Sequence, residues 1–214
     1  MEQNPCPLFE GIQDHELTSL LGCLHHYVRS YDKGTFILLD QDHVQHVGLV
    51  RRGTVHMLKE DLWGNQTLLG YMGPGELFGE TFALSKESKS YVSFMAATDV
   101  EVQFMTLQNI LHPCPRQCPF HSLLVQNMFH LIGEKNVRLM ERIEVASKSS
   151  LREKILAYLS LQAQRQDSRY ITLPLSRSEM ASYLQANRSA MIRELSAMKS
   201  EGLIDFHGNT FVLK

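Results

Sequence analysis

The chain has 214 residues, enough for two small domains, and a hydrophobic fraction of 43% that supports cores of ordinary size. Its four cysteines (Cys6, Cys23, Cys114 and Cys118) are too few and too scattered for a disulfide scaffold. No apolar run approaches the ~20 residues that span a bilayer, and Met1–Leu21 lacks a basic-then-apolar leader, so no membrane partner and a cytoplasmic location are expected. The net charge of −2 is unevenly spread, with ten Lys/Arg against six Asp/Glu from Lys148 onward and eleven against seventeen before it. A basic final third on an acidic body fits DNA binding confined to that third.

In chain order, Glu10 to Val28 carries Ile12, Leu17, Leu20, Leu21 and Leu24 at helical spacing, which predicts a short amphipathic helix. Lys33 to Leu107 reads as short strands punctuated by Lys33-Gly34, Arg52-Gly53, Trp63-Gly64-Asn65 and Gly73-Pro74-Gly75. Its runs Thr35–Leu39, Val47–Val50 and Val100–Phe104 are rich in β-branched and aromatic residues, as in a barrel or sandwich. Between Pro119 and Ser147 there is one glycine, Gly133, and no further proline. Leu124, Met128, Leu131, Leu139 and Ile143 recur there, with Lys135 and Arg138 interrupting the stripe. A helix of ~25 residues is ~38 Å long, more than one small domain needs, so it is expected to pack against its own copy and link two domains.

The sharpest signal lies between Leu151 and Lys214. Ser176-Arg-Ser-Glu179 is a capping box after Pro174, and Met180, Ala181 and Leu184 form one apolar face. Gln185-Ala186-Asn187 breaks that pattern, and Asn187 is a good N-cap for a second helix, Arg188 to Ser200, with Met191, Leu195 and Met198 inward and Gly202 as its stop. Two helices joined by a three-residue turn, the second presenting Arg188, Ser189 and Arg193, fit a recognition helix in a major groove. The arginine fork matches the O6/N7 acceptors of guanine, and Arg177 is placed to meet a phosphate. Tyr170–Leu173 and a hairpin around Gly208-Asn209 complete a winged module.

With these segments in order, the chain resembles the cAMP receptor protein/FNR superfamily over nearly its whole length, through Gly73–Glu80, Arg152–Leu159 and Leu175–Ile204. The resemblance implies an α+β protein with a cyclic-nucleotide-binding-like jelly-roll barrel, a long dimerisation helix and a C-terminal winged helix-turn-helix. The expected limits are 1–118, 119–147 and 148–214. It further implies a homodimer joined through 119–147 on a pseudo-palindromic double-stranded DNA site, an unidentified small-molecule effector in the barrel, and contact with RNA polymerase on exposed loops. Members that bind cAMP carry an arginine and a serine ten residues after the glutamate matching Glu80. Here Ser90 and Tyr91 stand there, with Lys89 the nearby cation, and Val137 and Arg138 replace a Thr-Ser pair on the long helix. Without the bidentate anion clamp and the two hydroxyls, an effector other than cAMP is expected, in a pocket drawn from Gly79, Glu80, Lys89, Ser90, Tyr91 and Arg138. Ser189 stands where members often carry a glutamate that accepts from cytosine, so the half-site should differ as well.

Cys114-Pro-Arg-Gln-Cys118-Pro-Phe-His121 brings two thiols and an imidazole within eight residues, a candidate metal or redox site. The Cys-Pro pairs also resemble haem-regulatory dipeptides, so haem and an iron–sulfur cluster stay open as cofactors beside a purely structural proline-rich connection. No Walker loop, His-Glu-x-x-His or Gly-x-Ser-x-Gly is present, which argues against an enzyme. A binding module that gates another protein would share the barrel but would have no use for the recognition helix.

Overall fold

The computed structural model describes residues 6–112 and 120–214. Its helices are α1 (Asp14–Cys23), α2 (Glu80–Ala83), α3 (Leu107–Leu111), α4 (His121–Ala146), α5 (Leu151–Arg165), α6 (Arg177–Tyr183) and α7 (Arg188–Ser200). Its strands are β1 (Tyr27–Tyr31), β2 (Phe36–Leu38), β3 (His46–Arg52), β4 (Val55–Glu60), β5 (Gln66–Met72), β6 (Leu77–Phe78), β7 (Ser93–Ala96), β8 (Val100–Thr106), β9 (Tyr170–Thr172), β10 (Ile204–His207) and β11 (Thr210–Leu213). They fall into two compact units, Met1–Lys135 and Asn136–Lys214. The long helix α4 begins in the first and ends in the second.

The first unit is a sandwich of two four-stranded antiparallel sheets, ordered β1-β8-β3-β6 and β2-β7-β4-β5. Val50, Phe78, Val102 and Phe104 from one sheet meet Val55, Met72, Phe94 and Ala96 from the other to form its core. Strands β3 and β8 are buried on both faces. Val47, Leu49 and Met105 alternate with the sandwich residues and join Leu20 and Leu24 of α1, Leu107 and Ile110 of α3, and Leu124 and Met128 of α4 in a second core. Each such side chain contributes ~1.5–3 kcal/mol on leaving water, so this cluster holds the helices on the sheet.

Two helical expectations are corrected. The first helix is shorter than Glu10–Val28, because Val28 is drawn into β1 opposite Gln103 and Ile12 lies before the helix start. The stripe on α4 is not continuous. Leu124 and Met128 are buried, whereas Leu139 and Ile143 are exposed together with Phe129, Val137 and Met140.

In the second unit Ile155, Tyr158 and Leu159 of α5, Met180 and Ala181 of α6 with Leu184 just after it, and Met191, Leu195 and Met198 of α7 are all buried. The small sheet runs β10-β11-β9, with Ile171 opposite Phe211, and both are fully buried. No helix among the described residues is long and apolar enough to cross a membrane.

Candidate nucleic-acid interface and sensor site

Local chemistry sets the two helices of the reading module. The Ser176 amide donates to Glu179 Oε2 at 2.7 Å and the Glu179 amide donates to Ser176 Oγ at 3.3 Å, the reciprocal box that starts α6. The Asn187 side-chain oxygen accepts from the amides of Ser189 (2.9 Å) and Ala190 (3.3 Å), which caps α7. Both helices end in Schellman geometry. After α7, the Leu203 amide donates to the Met198 carbonyl and the Gly202 amide to that of Lys199, with Gly202 at φ +78°. After α6, the Ala186 and Gln185 amides donate to the carbonyls of Ala181 and Ser182, but the left-handed residue is Gln185, at φ +53°.

With Met191, Leu195 and Met198 inward, the outer face of α7 presents Arg188, Ser189, Ile192, Arg193 and Ser196, all exposed. At ~100° per residue they share one arc of ~140°, so the structure brings Arg188, Ser189 and Arg193 onto a single surface. Ile192 is an apolar residue in the middle of it that the charge-based reading did not find. Its signal in the sequence was its place between Arg188 and Arg193, off the Met191–Leu195–Met198 spacing.

Arg177 lies elsewhere. Its guanidinium carbon sits 4.3 Å from the Phe211 ring centroid and 5.1 Å from that of Phe206, and Nη2 donates to the Gly208 carbonyl at the hairpin turn. Burial there pulls its pKa below the ordinary arginine value. The side chain therefore braces the wing. Arg152 braces α7 in the same way, with Nε 2.5 Å from Glu194 Oε1 and Nη1 and Nη2 each 2.8 Å from the Glu201 carboxylate. Lys199 ties α7 to the hairpin through Asp205 Oδ1 at 2.6 Å.

In the barrel unit, Gly79 adopts φ +81° just ahead of α2, the left-handed turn that a side chain would strain. Glu80 follows and is 1% exposed. Its Oε1 accepts from Lys135 Nζ at 2.5 Å and from the Thr81 hydroxyl at 3.3 Å, while Oε2 is buried without a hydrogen-bond partner among the described residues. Lys135 also donates to the Leu77 carbonyl at 3.3 Å. Sequence reasoning noted this lysine only as an interruption, although Leu124, Met128, Leu131 and Lys135 follow one helical spacing, so the interruption was itself the signal.

The other pocket candidates are spread out. Ser90 is fully buried and its hydroxyl donates to the Val92 carbonyl at 2.6 Å. Tyr91 is about half exposed and donates to Glu87 Oε2 at 2.6 Å, a bond that raises the phenol's pKa. Lys89 is partly buried in an isolated β-bridge with His43. Arg138 is exposed on α4 within the second unit. Gly79 and Glu80 are thus brought together with Lys135, while the hydroxyls of Ser90 and Tyr91 bond to Val92 and Glu87 instead.

Cys114 and Cys118 lie outside the described residues. His121 is buried, and its Nε2 donates to the Ile110 carbonyl at 2.6 Å. Cys6 and Cys23 are free, and burial pushes the Cys6 thiol pKa up. Among the described residues no group of three or more His, Cys, Asp or Glu side chains could hold a metal ion.

Residues 28–114 match a family described as "Cyclic nucleotide-binding domain" and residues 153–214 one described as "Crp-like helix-turn-helix domain". The chain is 27% identical over 198 residues to the cyclic AMP receptor protein of Thermus thermophilus, covering 92% of this chain and 88% of that protein. It is 24% identical over 204 residues to the transcriptional activator protein FnrL of Cereibacter sphaeroides, covering 87% and 76%. Among solved structures, the c-di-GMP responsive regulator CLP of Xanthomonas campestris superposes with a TM-score of 0.74 at 18% identity, over 94% of this chain and 99% of that one. A CooA mutant of Carboxydothermus hydrogenoformans gives 0.72 at 17%, over 94% and 93%. At those identities the structures establish the fold, and the sequence matches carry the rest. A cyclic-nucleotide-binding-type barrel followed in one chain by a Crp-like helix-turn-helix makes this protein a transcription regulator of the CRP/FNR family, not an enzyme.

Proposed function

We propose that the chain acts in the cytoplasm as a homodimer that reads a pseudo-palindromic DNA site with α7 and adjusts that reading to a signal received in its barrel. The observation that carries this is the capped, outward face of α7. Arg188 and Arg193 reach guanine edges, Ser189 adds an adaptable hydroxyl, and Arg177, held beneath the wing, lends its charge to the phosphate side. Exposed Phe129, Val137, Met140 and Ile143 recur at three to eight residues along α4 and supply the apolar seam for a second copy. The division of labour is an effector unit over 1–118, a dimerisation helix over 119–147 and a DNA-binding unit over 148–214, with RNA polymerase meeting exposed loops.

The effector is not cAMP. The Thermus relative is named for that ligand, but here Ser90 and Tyr91 replace the phosphate clamp, the Ser90 hydroxyl is engaged at Val92, and Glu80 is already paired with Lys135. The pocket lies within the barrel unit, drawn from Gly79, Glu80, Lys89, Ser90 and Tyr91, and takes another small molecule. Cys114, Cys118 and His121 are the candidate metal or redox group, for which the absorbance spectrum of anaerobically purified protein distinguishes haem from an iron–sulfur cluster.

The test is selection of a preferred site from random duplexes with the full chain, followed by mobility shifts. Arg188→Ala and Arg193→Ala should each cut the preference for the selected site by roughly 5- to 150-fold, the value of one bidentate arginine–guanine pair, with an unchanged thermal midpoint. Unchanged preference in both variants refutes the assignment of α7.

A further inference from the structure

We propose that Ile192 is a specificity-determining residue whose side chain packs on the C5-methyl group of a thymine in each half-site. This rests on α7 being the reading helix and adds a base identity that the arginines do not supply.

The argument starts from where Ile192 is and what surrounds it. Helix α7 has one apolar face, Met191, Leu195 and Met198, each no more than 1% exposed. Ile192 is not part of that face and is 42% exposed. On the helix surface its neighbours at three and four residues are exposed Arg188, Ser189 and Ser196 and buried Leu195, with exposed Arg193 beside it, so it stands at the border of the buried face. The protein's own core covers an apolar side chain there only in part and leaves 42% of it in water. The remainder is removed from water only when another surface covers it.

The occupant is chosen by the flanking chemistry. Two arginines on the same arc favour a polyanion, and the first turn of the helix is exposed at Asn187, Arg188 and Ser189. Within a major groove the edges of adenine, guanine and cytosine offer hydrogen-bond donors or acceptors to a side chain at this depth, and thymine alone adds an apolar group, its C5-methyl. An isoleucine facing any other edge would desolvate a polar group without returning a hydrogen bond. Discrimination therefore has two sources, contact with the methyl and the cost of the alternatives. Because Arg188 and Arg193 flank Ile192, the thymine it reads lies between or beside the guanines they read.

The experiment removes one methyl group from each side of the contact. The probes are duplexes carrying the selected site, in which single thymidines are replaced by deoxyuridine, which lacks only the C5-methyl. The proteins are the full-length wild type, Ile192→Val and Ile192→Ser. With wild type, deoxyuridine at one position per half-site should weaken binding about fourfold, the value of burying one methyl group. Ile192→Val should keep that sensitivity, and Ile192→Ser should lose it while still binding the site. Methylating a cytosine at C5 in the same position, where the site is altered to carry cytosine, should restore part of the wild-type affinity. The side chain is exposed, so the variants are expected to melt with the wild type. Wild-type binding that ignores deoxyuridine at every thymine overturns the proposal, and so does equal sensitivity in Ile192→Ser. If Arg188→Ala and Arg193→Ala also leave the preference intact, the reading helix itself is misassigned. If they abolish it while deoxyuridine stays silent, only the role of Ile192 falls.

Discussion

Replacing Lys135 by Met should loosen the barrel unit and leave the DNA-binding unit unchanged. Methionine keeps the apolar stem along α4 and removes the ammonium. Glu80 would then lose its 2.5 Å partner, keeping only the 3.3 Å Thr81 hydroxyl on Oε1 and no partner among the described residues on Oε2. Removing one member of a buried pair costs ~3–5 kcal/mol when both are fully buried. Glu80 is 1% exposed but Lys135 is 27% exposed, so water partly replaces the lost ammonium and ~2–3 kcal/mol is the reasonable expectation. Because two units need not unfold together, the assay is native-state hydrogen exchange read peptide by peptide. Protection in β3 and β8 should fall roughly 30- to 150-fold, at ~1.4 kcal/mol per tenfold, while protection in α7 stays within about threefold. Adding Glu80→Gln to the variant should recover much of the loss, since a neutral amide is less costly to leave without its partner. A change below about threefold in β3 and β8, or an equal loss in α7, would refute the reasoning.

Two further outcomes concern the winged module. Gln185 holds a left-handed conformation at the end of α6, which costs an ordinary residue ~1–2 kcal/mol, while glycine loses ~0.5–1 kcal/mol more chain entropy on folding. Gln185→Gly should therefore stabilise α6 and α7 by about 0.5–1 kcal/mol in hydrogen exchange, and destabilisation would mean that the glutamine side chain has a role of its own. The Arg152 fork holds the Glu201 carboxyl below its ordinary pKa, and Lys199, with the Phe206 amide, does the same for Asp205. A carboxyl with a depressed folded pKa contributes stability above its unfolded value of ~3.9–4.3 and loses it as pH falls through the lower folded value. The module's thermal midpoint should thus be flat from pH 7 to about 5 in this respect and fall below about 4, less steeply in Arg152→Gln. An Arg152-dependent decline already complete by pH 5 would contradict the assignment.

The parts of the reading module that were legible in the sequence are those whose physics is local. The Ser176–Glu179 box, the Asn187 cap and the Gly202 stop each depend on residues within five positions, so spacing alone locates α6 and α7. Arg177 shows the limit of that reasoning. An arginine at the start of a helix suggests a phosphate, but its position over Phe211 and Phe206 is set by a hairpin some thirty residues later. Strands β3 and β8 were legible as strands, yet their burial on both faces depends on α1 and α4, which no alternation within the strand reports.

Lys135 joins these cases in one residue. The stripe Leu124–Met128–Leu131 commits one face of α4 to the barrel, and the next position on that face is the lysine that meets Glu80. A core position cannot take an ammonium unless a carboxylate waits there, so the interruption in the stripe and the buried glutamate each account for the other. Beyond Lys135 the second unit begins, where Val137, Leu139, Met140 and Ile143 of α4 are exposed and Val145 is buried. The ion pair therefore sits where α4 leaves the first unit.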